Sequence, residues 1–233
     1  MSVELSTAMK HKVAMPPAVV VVARKKNRRA RGLGFVASGG YVVTAAHNLP
    51  HPESLNGIYD GDLLFVELSD GAKLQMTPVF VDQCTDIAVL AISDEHPEVE
   101  DLLDEVVPLR IAWNPVVGMH GGTVATHDRG LVKAVCEIRA SSTRVCFTGK
   151  TAFEGGTSGG PVFDTEGRIL AVVSQTSGAE GHRLGWGPAI SECLPAWLVK
   201  KIVRHERTAD EPPTKPQRVA RKRTSRKPRT SSR

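Results

Sequence analysis

The hydrophobic pattern is that of many short strands. Ala14–Ala23 carries four consecutive valines after Pro16 and Pro17, and reads as a buried strand. Short apolar runs then recur at Leu33–Ser38, Tyr41–Ala45, Leu63–Leu68, Leu74–Val81 and Ile87–Ile92, parted by turn residues such as Gly39-Gly40 and Asp70-Gly71. A second series follows at Gly122–Thr126, Leu131–Arg139, Arg144–Phe147, Pro161–Phe163, Arg168–Gln175 and Leu184–Ile190. Between the two series, the acid-rich stretch Asp94–Glu105 has too little to bury and reads as a solvated connection. Strands at this spacing predict an all-β barrel or sandwich.

One segment has helical period instead. Leu194, Trp197, Leu198 and Ile202 share a face, with Ser191 as the expected N-cap and an end near Arg204. The expected division is a loose lead-in over 1–13, a folded domain over 14–205 split near 100–115, and a disordered tail over 206–233.

Composition narrows the class without changing the fold. The 233 residues are 41% hydrophobic and 24% charged, which excludes a wholly disordered, collagenous or coiled-coil chain. No apolar run approaches the roughly 20 residues of a membrane-spanning helix. The Lys10–Ala23 stretch only mimics a signal peptide, because dense positive charge follows it instead of a small-residue cleavage site. Four cysteines (Cys84, Cys136, Cys146 and Cys193) are too few for a disulfide scaffold. A buried thiol is expected at Cys84, and Cys136 and Cys146 flank a hairpin in which they could pair if aligned. With no CxxC spacing, neither a metal site nor a cofactor is expected. These features lean towards a reducing, intracellular compartment.

The net charge of +5 is unevenly distributed. Residues 24–31 hold six Lys/Arg and residues 214–233 hold nine, with no acid in either; the remainder has 15 basic against 25 acidic residues. Such a tail, with Arg221, Lys222, Arg223, Arg226 and Lys227 at its densest, attracts nucleic acid or another polyanion through counterion release. No aromatic residue interrupts it, so base stacking has no support. Polyanion binding is expected to weaken steeply with salt and to vanish when 214–233 are deleted. Retention of binding after that deletion, measured by a salt-series mobility shift, would refute a role for the tail.

Three segments carry candidate chemistry: Thr44-Ala45-Ala46-His47, Thr85-Asp86-Ile87-Ala88-Val89-Leu90, and Gly155-Gly156-Thr157-Ser158-Gly159-Gly160-Pro161. Each alone is an ordinary turn. Together they meet the needs of acyl transfer, which are a hydroxyl nucleophile, a base beside it, a group orienting that base, and donors for the developing oxyanion. Ser158 supplies the hydroxyl, His47 the base and Asp86 the orienting carboxylate, with Asp82 as rival for the last role. The N–H groups of Gly156 and Ser158 supply the donors.

TAAH, TDIAVL and GTSGGPVF, in this order, resemble the chymotrypsin-like (trypsin-like) serine peptidases over roughly residues 18–205. The resemblance implies two six-stranded antiparallel β-barrels with a C-terminal helix, a polypeptide substrate, and the roles just given to His47, Asp86, Ser158 and Gly156. The intervals of 39 residues from His47 to Asp86 and 72 from Asp86 to Ser158 are compact. They are similar to those of the Deg (high-temperature-requirement) and viral members, and GPVFDTEGRILAVVS and GWGPAIS resemble the corresponding strands of the Deg group. No PDZ-like domain is read after the barrels, a departure from the Deg group. Thr157 stands where zymogens of the family keep an Asp, which implies no activation by N-terminal trimming.

By the same resemblance the primary pocket is lined by residues around Ala152, by Ser174, Gln175 and Thr176, and by the Gly185–Gly187 region. An uncharged residue at 152 implies a small or medium apolar or polar side chain before the scissile bond rather than Arg or Lys, with Glu154 close by; His182 is expected on a loop, the alternative being a role in favouring an acidic side chain. Competing readings are a viral polyprotein-processing protease and a catalytically idle protease-fold module that binds nucleic acid through its tail.

Overall fold

The computed structural model describes residues 16–24, 31–49, 64–93, 102–103, 105–112, 120–127, 130–140, 145–149, 155–179 and 182–209. Six strands form the first unit: β1 (Val19–Arg24), β2 (Arg31–Ala37), β3 (Tyr41–Ala45), β4 (Leu64–Glu67), β5 (Lys73–Asp82) and β6 (Ile87–Ile92). They close an antiparallel barrel in the order β1-β2-β3-β6-β5-β4. The β2–β3 hairpin turns through Gly39 and Gly40, both at positive φ (83° and 71°), as their lack of a Cβ permits. Residues 25–30 link β1 and β2 and lie outside the described residues.

Alternation explains how the barrel closes. β4 and β5 alternate between a more buried and a more exposed face, with Leu64, Val66, Leu74 and Met76 buried. β2, β3 and β6 are apolar on both faces. One face fills the barrel with Val36, Val42, Ala88 and Leu90. The other carries Phe35, Val43, Ile87 and Val89 into a second cluster with Ile169, Val172, Ile190, Leu198 and Ile202. The second cluster therefore joins the barrel to the C-terminal half. Full burial of each such side chain contributes about 1.5–3 kcal/mol.

The C-terminal half comprises β7 (His120–His127), β8 (Gly130–Ala140), β9 (Val145–Gly149), β10 (Pro161–Phe163), β11 (Ile169–Val172), β12 (Gln175–Ala179) and β13 (His182–Pro188). They form one antiparallel sheet ordered β11-β10-β7-β8-β9-β13-β12, so seven strands stand where six were expected. β11 and β12 lie at opposite ends of that order, yet only Val173 and Ser174 separate them. Three Cα–Cα steps span at most about 11 Å, so the sheet must curl enough to bring the end of β11 near the start of β12. An isolated bridge also joins Ala171 of β11 to Ala189, just past β13.

Two other expectations are corrected. Arg168–Gln175 is not one strand, because the chain leaves the ladder at Val173 and Ser174. The register sets Cys136 opposite Gly149 and Cys146 opposite Arg139. The two cysteines are therefore offset by three residues, about 10 Å along the strands, which is beyond disulfide reach at this register.

The helix also differs from its expectation. A single turn, α1 (Ile190–Cys193), precedes α2 (Ala196–Ala209). Ser191 lies inside α1 and does not act as an N-cap; that position is Ala189, without a side-chain cap bond. Pro195 disfavours helical geometry at Leu194, and α2 restarts with the Pro195 carbonyl accepting from the N–H groups of Leu198 (3.0 Å) and Val199 (3.1 Å). Leu198 and Ile202 are buried as expected, but Trp197 is 48% exposed. Neighbours on a helix are about 100° apart, so Trp197 cannot share Leu198's buried direction. It lies instead under Lys201, whose Nζ is 5.6 Å from the ring centroid. The helix also runs to Ala209, past the expected boundary at 205.

Candidate active site

β3 ends at the barrel rim, where one 3₁₀ turn (Ala46–Asn48) carries His47 outward. The Ala46 N–H donates to the Asp86 carbonyl (3.1 Å), fixing this turn beside the start of β6. Asp86 has φ +56°, a left-handed conformation that a short polar side chain tolerates at a cost of about 1–2 kcal/mol. Asp86 Oδ1 accepts the His47 backbone N–H at 2.9 Å. Oδ2 meets His47 Nδ1 at 2.7 Å and accepts the Ser174 hydroxyl at 2.5 Å.

Burial by itself pushes the Asp86 carboxyl up; hydrogen bonds from the His47 ring, the Ser174 hydroxyl and the His47 N–H outweigh it and hold the group below the ordinary carboxylate range. Ionised Asp86 requires the proton on Nδ1, which leaves Nε2 as the open acceptor of a ring that is 45% exposed. The depressed pKa also sets a pH dependence. The stabilisation from ionised Asp86 is fully present above the unfolded value, about 4, and is lost as pH falls through the lower folded value. The stability gap between wild type and Asp86→Asn is thus expected to narrow from pH 6 to pH 3 in thermal melts. A gap independent of pH would contradict it.

Asp82, the rival carboxylate, is engaged elsewhere. Its Oδ1 accepts from the N–H groups of Cys84 (2.9 Å) and Thr85 (3.4 Å), and its Oδ2 from the Thr85 hydroxyl (2.8 Å). It builds the turn that delivers Asp86. Cys84 in that turn is exposed, contrary to the buried thiol expected there.

Ser158 stands in a tight turn with Gly156 (φ +96°) and Gly159 (φ +86°) on either side. Its hydroxyl donates to the Ser174 carbonyl at 3.3 Å. Val173 N–H donates to the Gly160 carbonyl (2.8 Å) and Gly159 N–H to the Val173 carbonyl (2.6 Å), so the Val173–Ser174 link is bonded to the nucleophile turn. Among the described residues, the N–H groups of Gly156 and Ser158 meet no acceptor.

Ser174 was expected in the substrate pocket. The structure places its hydroxyl on Asp86 and its carbonyl on Ser158. No spacing in the sequence signals that role. Gln175 and Thr176 lie on β12 opposite Trp186 and Gly185. Ala152 and the tail residues Arg221, Lys222, Arg223, Arg226 and Lys227 lie outside the described residues.

The barrel rim thus carries an imidazole–carboxylate pair bonded, through Ser174 and Asn48, to the residue bearing a glycine-flanked serine. Residues 32–172 match the trypsin-like peptidase domain, and the chain belongs to that family. It is 29% identical over 181 residues to a probable periplasmic DegP-like serine endoprotease of Halomonas elongata, covering 76% of this chain and 35% of that one. It is 30% identical over 171 residues to a like-named protein of Pseudomonas putida, covering 72% and 34%. The chain therefore spans about a third of the length of these curated relatives. Among solved structures, a serine endoprotease from Yersinia pestis superposes with TM-score 0.60 at 21% identity, over 83% of this chain and 65% of that one. The active form of the Rv3671c protease from M. tuberculosis gives 0.56 at 23%, over 82% of each chain. A human pathogenic astrovirus serine protease gives 0.52 at 21%, over 77% and 93%. At these identities the structural likeness speaks for the fold. Among the described residues no helix is long and apolar enough to cross a membrane.

Proposed function

We propose that this chain is a serine endopeptidase working through an acyl-enzyme. Rotation about the Ser158 Cα–Cβ bond re-aims its hydroxyl from the Ser174 carbonyl to His47 Nε2. As Oγ attacks the substrate carbonyl carbon, Nε2 takes its proton, and Asp86 stabilises the resulting imidazolium. The N–H groups of Gly156 and Ser158 receive the oxyanion. His47 then protonates the leaving amine, and a water deprotonated by the same nitrogen hydrolyses the ester. The observation that carries this reading is the Asp86 arrangement, with the His47 ring at 2.7 Å on the oxygen that also takes the Ser174 hydroxyl.

The test is labelling by a fluorophosphonate. Wild type is expected to react at Ser158, and Ser158→Ala and His47→Ala are expected not to. Absence of labelling in the wild type would favour the idle binding module. For specificity, the uncharged residue at 152 supports small or medium side chains before the scissile bond, since a desolvated cation needs a counter-charge. A fluorogenic peptide library dominated by Arg or Lys would overturn that preference.

A further inference from the structure

Asn48 follows His47 in the same 3₁₀ turn, yet its side chain reaches the nucleophile. Its Nδ2 donates to the Ser158 carbonyl at 2.9 Å and to Thr44 Oγ1 at 3.0 Å. Both amide donors of Asn48 are thereby used. The partner carbonyl can only accept, which fixes nitrogen, not oxygen, as the atom facing it. Leu33 N–H donates to the same Ser158 carbonyl at 2.7 Å. Thr44 Oγ1 in turn donates to the Leu33 carbonyl at 2.7 Å, within the buried wall of the barrel. One carboxamide thus ties the turn that bears His47 to the backbone of the residue that bears the nucleophile, across 110 positions of sequence.

The space around this carboxamide is fitted to it. A Cβ on Gly32 would lie 2.2 Å from Nδ2, 2.3 Å from Oδ1 and 2.4 Å from Cγ. A Cβ on Gly159 would lie 2.7 Å from Nδ2. Two glycine backbones enclose the group from the two halves of the site, so it cannot swing aside without giving up its bonds.

We infer that Asn48 is a positioning residue that holds the base and the nucleophile in register, acting through the Ser158 carbonyl. The inference rests on the peptidase reading above. His47 and Ser158 belong to different halves of the molecule, and the distance between them is set by whatever joins their backbones. The Leu33 bond fixes the Ser158 carbonyl to β2. Among the described residues, only the Asn48 bond fixes it to the turn of His47 itself. Errors of about 1 Å between reacting groups can cost on the order of 100-fold in rate.

The test measures kcat per active site, counted by fluorophosphonate titration, together with KM on one peptide substrate. Asn48→Ala is expected to lower kcat per titrated site by about 10- to 100-fold with KM changed by no more than about twofold. Asn48→Asp keeps the size of the side chain and removes the donor, and is expected to lose kcat in the same way; it serves where the alanine variant folds poorly. Gly32→Ala displaces the carboxamide from the other side and is expected to lower kcat in wild type. In the Asn48→Ala background, where the displaced group is gone, it is expected to add little. A purely structural role would instead lower melting temperature and the titratable fraction while leaving kcat per site unchanged. That result, a loss carried by KM, or full additivity of the Gly32 and Asn48 substitutions would each overturn the inference. A wild-type protein that does not react with the fluorophosphonate would overturn the peptidase reading itself, and is recognised before any variant is compared.

Discussion

Ser158→Ala is expected to lower kcat by about 10⁶-fold with KM little changed, and His47→Ala to do nearly the same. The double variant is expected to be no worse than either single one. The reason is chemical unity: without Nε2 the Ser158 hydroxyl stays a poor nucleophile, and without the hydroxyl Nε2 has no proton to take. Substrate binding is untouched, because neither side chain supplies affinity. What remains is the work of the backbone donors at Gly156 and Ser158, which act on any water that attacks from solution. Steady-state kinetics on a single fluorogenic peptide checks this. Losses that multiply in the double variant would show that the two residues act separately.

Gly159→Ala is expected to be the most damaging single methyl in the site. The residue sits at φ +86°, where a Cβ costs about 1–2 kcal/mol. That Cβ would also lie 2.0 Å from the Leu33 carbonyl oxygen and 2.4 Å from Thr44 Oγ1. Backbone cannot yield as a side-chain tip can, and overpacking of this kind adds about 1–3 kcal/mol. The sum, about 2–5 kcal/mol, is a large share of a typical domain's stability and lowers Tm by about 5–20 °C. Gly71→Ala provides the control. Gly71 has φ +89° but nothing within 4 Å of the built Cβ, so it pays the conformational cost alone. The difference between the two melting shifts isolates the close approach of β2 to the nucleophile turn. Equal shifts would remove it from the account.

That contrast indicates where reading from sequence stops. Gly159 in GTSGGP is visible as a flexible position, but nothing local says that Leu33 crosses it. The broken run at Val173–Ser174 has the same origin. Val173 is as apolar and β-branched as Val172, so periodicity extends the strand through it. The structure breaks it because Val173 pairs with the Gly159–Gly160 backbone and Ser174 turns to Asp86. The one-turn α1 and the restart at α2 follow from Pro195, which interrupts the helical spacing of Leu194 and Leu198.

The sequence by itself determined most of the strand segments, because alternation and turn chemistry act over two to six residues. It also determined the residue types of the site, because TAAH, TDIAVL and GTSGGP each place a reactive group directly beside a strand or a glycine turn. Only the tertiary structure sets the Asp86 carboxylate against the His47 ring and that of Asp82 on the Cys84–Thr85 turn, since this depends on how the barrel rim is built. It alone revealed Ser174, 88 residues from Asp86, and Asn48, 110 residues from Ser158. Contacts of that range are set by barrel closure and by the packing of one half on the other, and so leave no spacing for a sequence pattern to carry.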